Sequence, residues 1–212
     1  MRHPVLFLEF ILIFIGLPAA LNVANVPRPV LYLSLWIMSG FGIWVLWRNH
    51  RTSCSGLWHG VGWPAAQKRA ALLRFIGITS LTALFIYHYY PEHFLSFPRQ
   101  KPALWAMVML LYPLLSVIAQ EFVFRSFFFR RYARIFPQPW LLFTVNTLCF
   151  GYLHIVLHNW VAPILSAFGS LIFTYGYRQH QSLKWVAIEH AAYGCMIFTL
   201  GLGWFFFYGI RP

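Results

Sequence analysis

The sequence contains no aspartate, and its only acidic residues are four glutamates, Glu9, Glu92, Glu121 and Glu189. Charged residues of both signs make up 9% of the chain, whereas soluble domains carry about 25%. Hydrophobic residues make up 60% and aromatic residues 20%. This composition excludes an ordinary soluble domain and is typical of a polytopic membrane protein.

Cysteine is also scarce. The three cysteines, Cys54, Cys149 and Cys195, lie far apart and form no CxxC motif, which argues against a disulfide framework and a thiolate metal site. The formal net charge of +12 could suggest nucleic acid, but Lys and Arg occur mostly in short clusters between apolar runs. That pattern is a topology signal. We therefore expect a lipid bilayer as the environment and no nucleic-acid partner.

Apolar runs bounded by charges, prolines or polar clusters predict about seven membrane spans. They cover residues 4–23, 30–47, 70–90, 102–129, 139–158, 161–177 and 185–208. All should be helices, because no alternating strand pattern appears and the backbone must be satisfied within lipid. Residues 48–69 form the one sizeable predicted loop. The predicted fold is all-α, a polytopic transmembrane helix bundle in which 1–212 form a single membrane domain.

Three further patterns concern topology, processing of the amino terminus and helix packing. Lys and Arg are most frequent on the side of the predicted spans that includes the amino terminus, so we expect that terminus to be cytoplasmic. The first apolar run is longer than a signal-peptide core, which favours an uncleaved helix. In the sixth span, Ala162, Ser166 and Ser170 recur every four residues, a small-residue stripe that predicts close helix packing.

Ionisable residues occur inside the predicted spans, where they are costly unless they face a partner or a cavity. Glu121 and Arg125 are four residues apart and can pair on one helix face. His154 and His158 have the same spacing, and the last span carries Glu189 beside His190. We expect the last four spans to surround one polar site. Its residues could neutralise each other, perform acid-base hydrolysis, or bind zinc through histidine and glutamate.

Three segments, "QEFVFR", "FGYLH" and "HAAYG", follow one another on successive predicted spans. In order and spacing they resemble the EExxxR, FxxxH and HxxxN motifs of the CAAX protease and bacteriocin-processing (CPBP, or ABI) family of intramembrane glutamic endopeptidases. The resemblance implies a catalytic core in residues 101–212, with residues 1–100 as three peripheral spans. It also implies an endopeptidase without a cofactor, whose substrates are membrane-associated proteins or peptides.

The resemblance implies a role for each matching residue. Glu121, assisted by His154, would deprotonate a water molecule that attacks a peptide carbonyl. His190 would stabilise the oxyanion, and Arg125 would hold Glu121 in place. Gln120 would orient the water by hydrogen bonding.

The chain departs from the family motifs at two positions. Gln120 stands where the family has its first glutamate, and Gly194 stands where it has the asparagine of HxxxN. Either Glu121 or Glu189 therefore acts as the base, or the chain is a non-catalytic relative that binds a ligand or partner. A zinc-dependent membrane protease is a further alternative. Bacterial branches of the family resemble the chain in having Gln-Glu in the first motif, which implies a bacterial plasma membrane location.

Overall fold

The computed structural model describes residues 3–48, 58 and 63–207, and within them every regular element is helical. The helices are, in chain order, α1 His3–Val23, α2 Arg28–Arg48, α3 Ala65–Tyr89, α4 Ser96–Gln100, α5 Pro102–Tyr132, α6 Pro139–Leu157, α7 Val161–His180 and α8 Leu183–Leu200. The predicted all-α bundle is confirmed. The predicted 48–69 loop lies mostly outside the described residues.

Among the described residues, five helices are long and apolar enough to cross a membrane: α1, α2, α3, α5 and α6. Helix α5 has 31 residues, or about 46 Å at 1.5 Å per residue, which exceeds the thickness of a hydrocarbon core. Helices α7 and α8 have 20 and 18 residues but are not in this set. The chain is an integral membrane protein, and seven remains a predicted number of spans.

Several helix ends differ from the predicted limits. Helix α6 finishes in a tight 3₁₀ turn, His154–Leu157, and His158 then adopts a left-handed conformation with φ of 54°. The predicted helical face shared by His154 and His158 is therefore wrong. Helix α8 ends at Leu200 because Gly201 has φ of 113°, and a Cβ there would overlap the backbone of His93. The predicted limit at 208 lies outside the described residues.

Helix α1 packs on the carboxyl-terminal half of α5 through aromatic side chains. The ring of Phe14 meets those of Phe124, Phe128 and Tyr132 edge to face, at centroid distances of 5.4, 5.0 and 5.5 Å, a favoured geometry for aromatic pairs. Arg131 in α5 donates two hydrogen bonds, of 2.9 and 2.6 Å, to the carboxylate of Glu9 in α1. These contacts fix α1 against the helix that carries the first motif.

Helices α6 and α7 form the closest helix pair around the site. A Cβ added to Gly151 would lie 2.9 Å from the Cβ of Ala167 and 3.0 Å from the carbonyl oxygen of Pro163, so only glycine allows this approach. Ala162, Ser166 and Ser170 are all buried, as the small-residue stripe predicted. The close packing brings the second motif next to α7, whose polar residues contribute to the site.

Candidate active site

Glu121 and Arg125 form an enclosed ion pair in α5. The guanidinium Nε of Arg125 lies 3.0 Å from Oε2 of Glu121, and both side chains have 0% exposure. A π-helical segment, Phe122–Phe127, follows Glu121 directly; such wide turns are frequent at functional sites. The pairing predicted from the four-residue spacing is confirmed. Full burial makes each charge dependent on the other, because an unpaired charge there would be costly.

A hydrogen-bond network from α6 and α7 holds Arg125. Its Nη1 donates to Oδ1 of Asn146 at 2.7 Å, and its Nη2 donates to Oγ of Ser170 at 3.3 Å. Asn146 is oriented in turn, because its Nδ2 donates to the carbonyl of Phe124 at 2.7 Å and its Oδ1 accepts from Thr174 at 3.0 Å. Three helices thus position the guanidinium.

The imidazole of His190 connects Glu121 to a tyrosine. Its Nδ1 lies 2.7 Å from Oε1 of Glu121, and its Nε2 lies 3.1 Å from the hydroxyl of Tyr112. The ring also stacks on Phe173, with centroids 4.5 Å apart and planes at 20°. Since a carboxylate only accepts hydrogen bonds, Nδ1 carries the hydrogen and donates a hydrogen bond to Glu121. The result is a chain of contacts running Arg125, Glu121, His190, Tyr112.

His154 lies close to this chain, at the end of α6. Its Nδ1 lies 2.9 Å from the carbonyl oxygen of Phe150, so Nδ1 is the protonated nitrogen and Nε2 of the neutral ring has a free lone pair. The Phe150 ring is near both imidazoles, with its centroid 5.2 Å from that of His154 and 5.6 Å from that of His190. The second and third motifs therefore meet around one phenyl ring.

A cavity of about 320 Å³ connects these groups. Its walls include Gln120, His154, His190 and Tyr112, and the remainder of its lining is mostly apolar. Gln120 Nε2 donates to Oγ of Ser116 at 2.7 Å. Glu121 and Arg125 are not among the described residues that line the cavity. The carboxylate therefore lies behind His190, and the glutamine in the family's first glutamate position faces the open space.

Glu189 has a different neighbourhood from Glu121. It forms an ion pair with Arg74 of α3, and its side chain is 6% exposed against 30% for Arg74. Neither residue is among the described residues that line the cavity. The sequence did not predict this pair, because Arg74 is far away in the chain and lies in a helix without a motif.

The geometry also bears on the zinc alternative. Among the described residues, no group of three His, Cys, Asp or Glu side chains lies close enough together to hold a metal ion. His158 is exposed and follows the end of α6, so its spacing from His154 does not create a ligand pair on a helix. The structure does bring Glu121, Arg125 and His190 into direct contact. Gln120 and His154 line the cavity that His190 also lines.

Tyr112 is the site residue that sequence reasoning missed. It carries no motif, and it precedes Pro113 and a π-helical segment, Pro113–Val117, so helical spacing from Gln120 does not predict its direction. The available signal was Gly194, because a glycine at the asparagine position of the HxxxN motif leaves room near His190 for another side chain. A Cβ at Gly194 would overlap the Tyr112 phenol.

Comparison with known families covers this part of the chain. Residues 102–196 match the model of the family described as type II CAAX prenyl endopeptidase Rce1-like. No curated protein and no solved structure gives a significant match. The matched segment begins at α5 and ends within α8, so it includes all three motifs, and the resemblance to the CPBP family is confirmed. Over this segment, the chain is similar to the Rce1-like family of type II CAAX prenyl endopeptidases.

Proposed function

We propose that the chain is an intramembrane endopeptidase that hydrolyses a peptide bond in a membrane-associated protein or peptide. The observation that carries the proposal is the 2.7 Å hydrogen bond between His190 and Glu121 at the wall of a cavity that His154 and Gln120 also line. The match of residues 102–196 to the Rce1-like endopeptidase family supports peptide-bond hydrolysis in general terms. A carboxylate, two imidazoles and a cavity that can hold water and substrate are the materials of acid-base hydrolysis.

His154 is the proposed base that touches water. Its Nδ1 is occupied by the Phe150 carbonyl, which leaves Nε2 free to accept a proton from a water molecule in the cavity. Both carboxylate oxygens of Glu121 are already engaged, by His190 and Arg125, and its side chain is fully enclosed. This arrangement favours His154 over Glu121 as the group that deprotonates water.

Glu121 acts in this proposal through His190. The Glu121 carboxylate accepts the hydrogen bond from Nδ1 and fixes the orientation of the ring, so that His190 stabilises the carbonyl oxygen as it becomes an oxyanion. Arg125 and its network hold Glu121 in this position. In the reaction, water oxygen bonds to the carbonyl carbon while its proton moves to His154. The intermediate then releases the amine, which takes that proton as the C–N bond breaks.

Gln120 orients the attacking water. Its Nε2 donates to Ser116, and its Oε1 is buried without a hydrogen-bond partner among the described residues, which leaves an unused acceptor on a side chain beside the cavity. An amide oxygen can accept a hydrogen bond from water but cannot take its proton near neutral pH. This supports a positioning role in place of the base role of the family's first glutamate.

The arrangement of the remaining chain is part of the proposal. Residues 101–212 form the catalytic core and residues 1–100 support it, within one membrane domain. The clusters of Lys and Arg favour a cytoplasmic amino terminus, and the Gln-Glu first motif favours a bacterial plasma membrane.

The test is the mapping of new protein termini in membranes from cells that express the wild type or His154→Gln. We expect a set of cleavages that is present with the wild type and absent with the variant at equal protein levels. Identical termini in both membranes would support the alternative of a non-catalytic relative that binds a ligand or partner. Cleavage by isolated membranes should persist with a chelator, and its loss, restored by zinc, would support the zinc protease.

A further inference from the structure

Gly194 occupies the position where the HxxxN motif has its asparagine, so the chain lacks that side-chain donor beside His190. The space is not empty. A Cβ built on Gly194 would overlap three atoms of the Tyr112 side chain, including its hydroxyl oxygen. The phenol of α5 therefore occupies the volume that a side chain at position 194 of α8 would take.

Tyr112 is held firmly in that position. Its ring packs edge to face on Phe198, with centroids 5.3 Å apart and planes at 70°, and it meets the His190 ring at 77°. The hydroxyl lies 3.1 Å from His190 Nε2, and the side chain lines the cavity. The ring is packed by α8 while the hydroxyl reaches the polar end of the cavity.

We propose that Tyr112 is a catalytic residue that donates a hydrogen bond to the oxyanion and so replaces the missing asparagine. The inference rests on the proposed endopeptidase function. When His190 is protonated, its Nε2–H donates to the Tyr112 oxygen, and the phenol hydrogen is then free to point into the cavity. The bond from the imidazolium polarises the phenol and strengthens its own donation, as in other hydrogen-bond chains.

The contribution of such a donor depends on the state of the substrate. As water attacks, the electron pair of the carbonyl double bond moves onto the oxygen, and the phenol hydrogen bond strengthens with that charge. The proton stays on Tyr112, and the bond weakens again when the carbonyl re-forms. A donor that acts on the developing charge raises kcat and has little effect on KM, and its removal typically costs about 10²–10³-fold.

The primary test is Tyr112→Phe in vesicle-reconstituted protein, with a substrate identified from the wild-type termini. Phenylalanine keeps the ring packing against Phe198, so the fold should be kept, while kcat should fall about 10²-fold and KM change less than about 3-fold. Tyr175→Phe is the matched control, because Tyr175 is exposed, is not among the described residues that line the cavity, and should leave kcat unchanged. A KM that rises by as large a factor as kcat falls would overturn the role of Tyr112. An unchanged kcat would overturn it as well.

A second experiment exchanges the donor between helices. Tyr112→Ala should be nearly inactive, and adding Gly194→Asn to it should restore about 10-fold or more of kcat, because the asparagine enters the vacated volume. Gly194→Asn alone should be inactive owing to overlap with the phenol. If the folded double variant regains no activity and Tyr112→Phe keeps the kcat of the wild type, Tyr112 does not replace the asparagine. The proposed endopeptidase function would still stand. Absence of any cleavage by the wild type refutes both proposals.

Discussion

Two glutamate–arginine pairs of the described residues, Glu121–Arg125 and Glu189–Arg74, differ in nearly every respect except chemistry. Glu121 and Arg125 are neighbours on α5, with 0% exposure of both side chains, and they extend into a network with His190 and Asn146. Glu189 and Arg74 link α8 to α3, and the Arg74 side chain is 30% exposed. The first pair is integrated into the site, whereas the second joins a helix outside the matched segment to one within it.

The comparison teaches that a buried carboxylate is not sufficient to mark a base. Glu189 directly precedes His190 in sequence, yet successive residues of a helix point in different directions. One side chain therefore meets Arg74 while the next meets Glu121. The neighbours, and not the residue type, separate a carboxylate that can influence the cavity from one that ties two helices together.

The largest effect expected from breaking this contrast is that of Glu121→Gln. The amide keeps the size of the side chain but removes the negative charge that orients the His190 imidazole, so kcat should fall by about 10³-fold. The matched variant Glu189→Gln should keep kcat within about 3-fold of the wild type. Cleavage assays with equal amounts of folded protein compare the two. Activity that survives in Glu121→Gln and is lost in Glu189→Gln would reverse the assignment.

The arginines provide the next comparison, in stability. Arg125→Met leaves Glu121 buried without its partner and should lower the free energy of unfolding by about 3–5 kcal/mol. Arg74→Met should cost only about 1 kcal/mol, since a partly exposed pair is screened by solvent. Thermal unfolding in detergent measures both variants against the wild type. Equal losses would contradict the difference in burial on which the contrast depends.

Much of the site could be predicted from the sequence where helix geometry determines the contact. The Glu121–Arg125 pair follows from a four-residue spacing, and the motif order brought His154 and His190 to the same site. The Glu189–Arg74 pair and the Tyr112 contact could not be predicted. Both join side chains on different helices, and they depend on the rotation and tilt of each helix, which composition does not determine.

The same limit explains the helix ends. The sequence predicted one helix through His158, because apolar and polar residues continue without a break. The structure replaces the last turn by a 3₁₀ segment that begins at His154. Since His154 itself bonds to the Phe150 carbonyl, the altered turn is part of the site, and such local adjustments of functional residues are not encoded in periodicity.

The smallest effects are expected from changes at Gln120. One of them, Gln120→Glu, sharpens the comparison because it adds a third carboxylate to Glu121 and Glu189. Gln120→Ala should lower kcat by less than about 10-fold, because only an orienting hydrogen bond to water is lost. Gln120→Glu restores the family residue beside Glu121. The proposed mechanism does not need a carboxylate at this position, so the new side chain should act mainly as another polar group and change kcat by less than about 5-fold.

Gln120→Glu also tests whether the natural site works at all. In the arrangement proposed here, His154 takes the proton and Glu121 acts through His190, so a carboxylate at position 120 is not needed for turnover. The decisive measurement is the cleavage rate of the variant beside that of the wild type on one membrane substrate. Comparable rates support a working site with an altered division of roles. A rate found in Gln120→Glu but not in the wild type would mean that the family's first glutamate is indispensable and that the natural chain has another function.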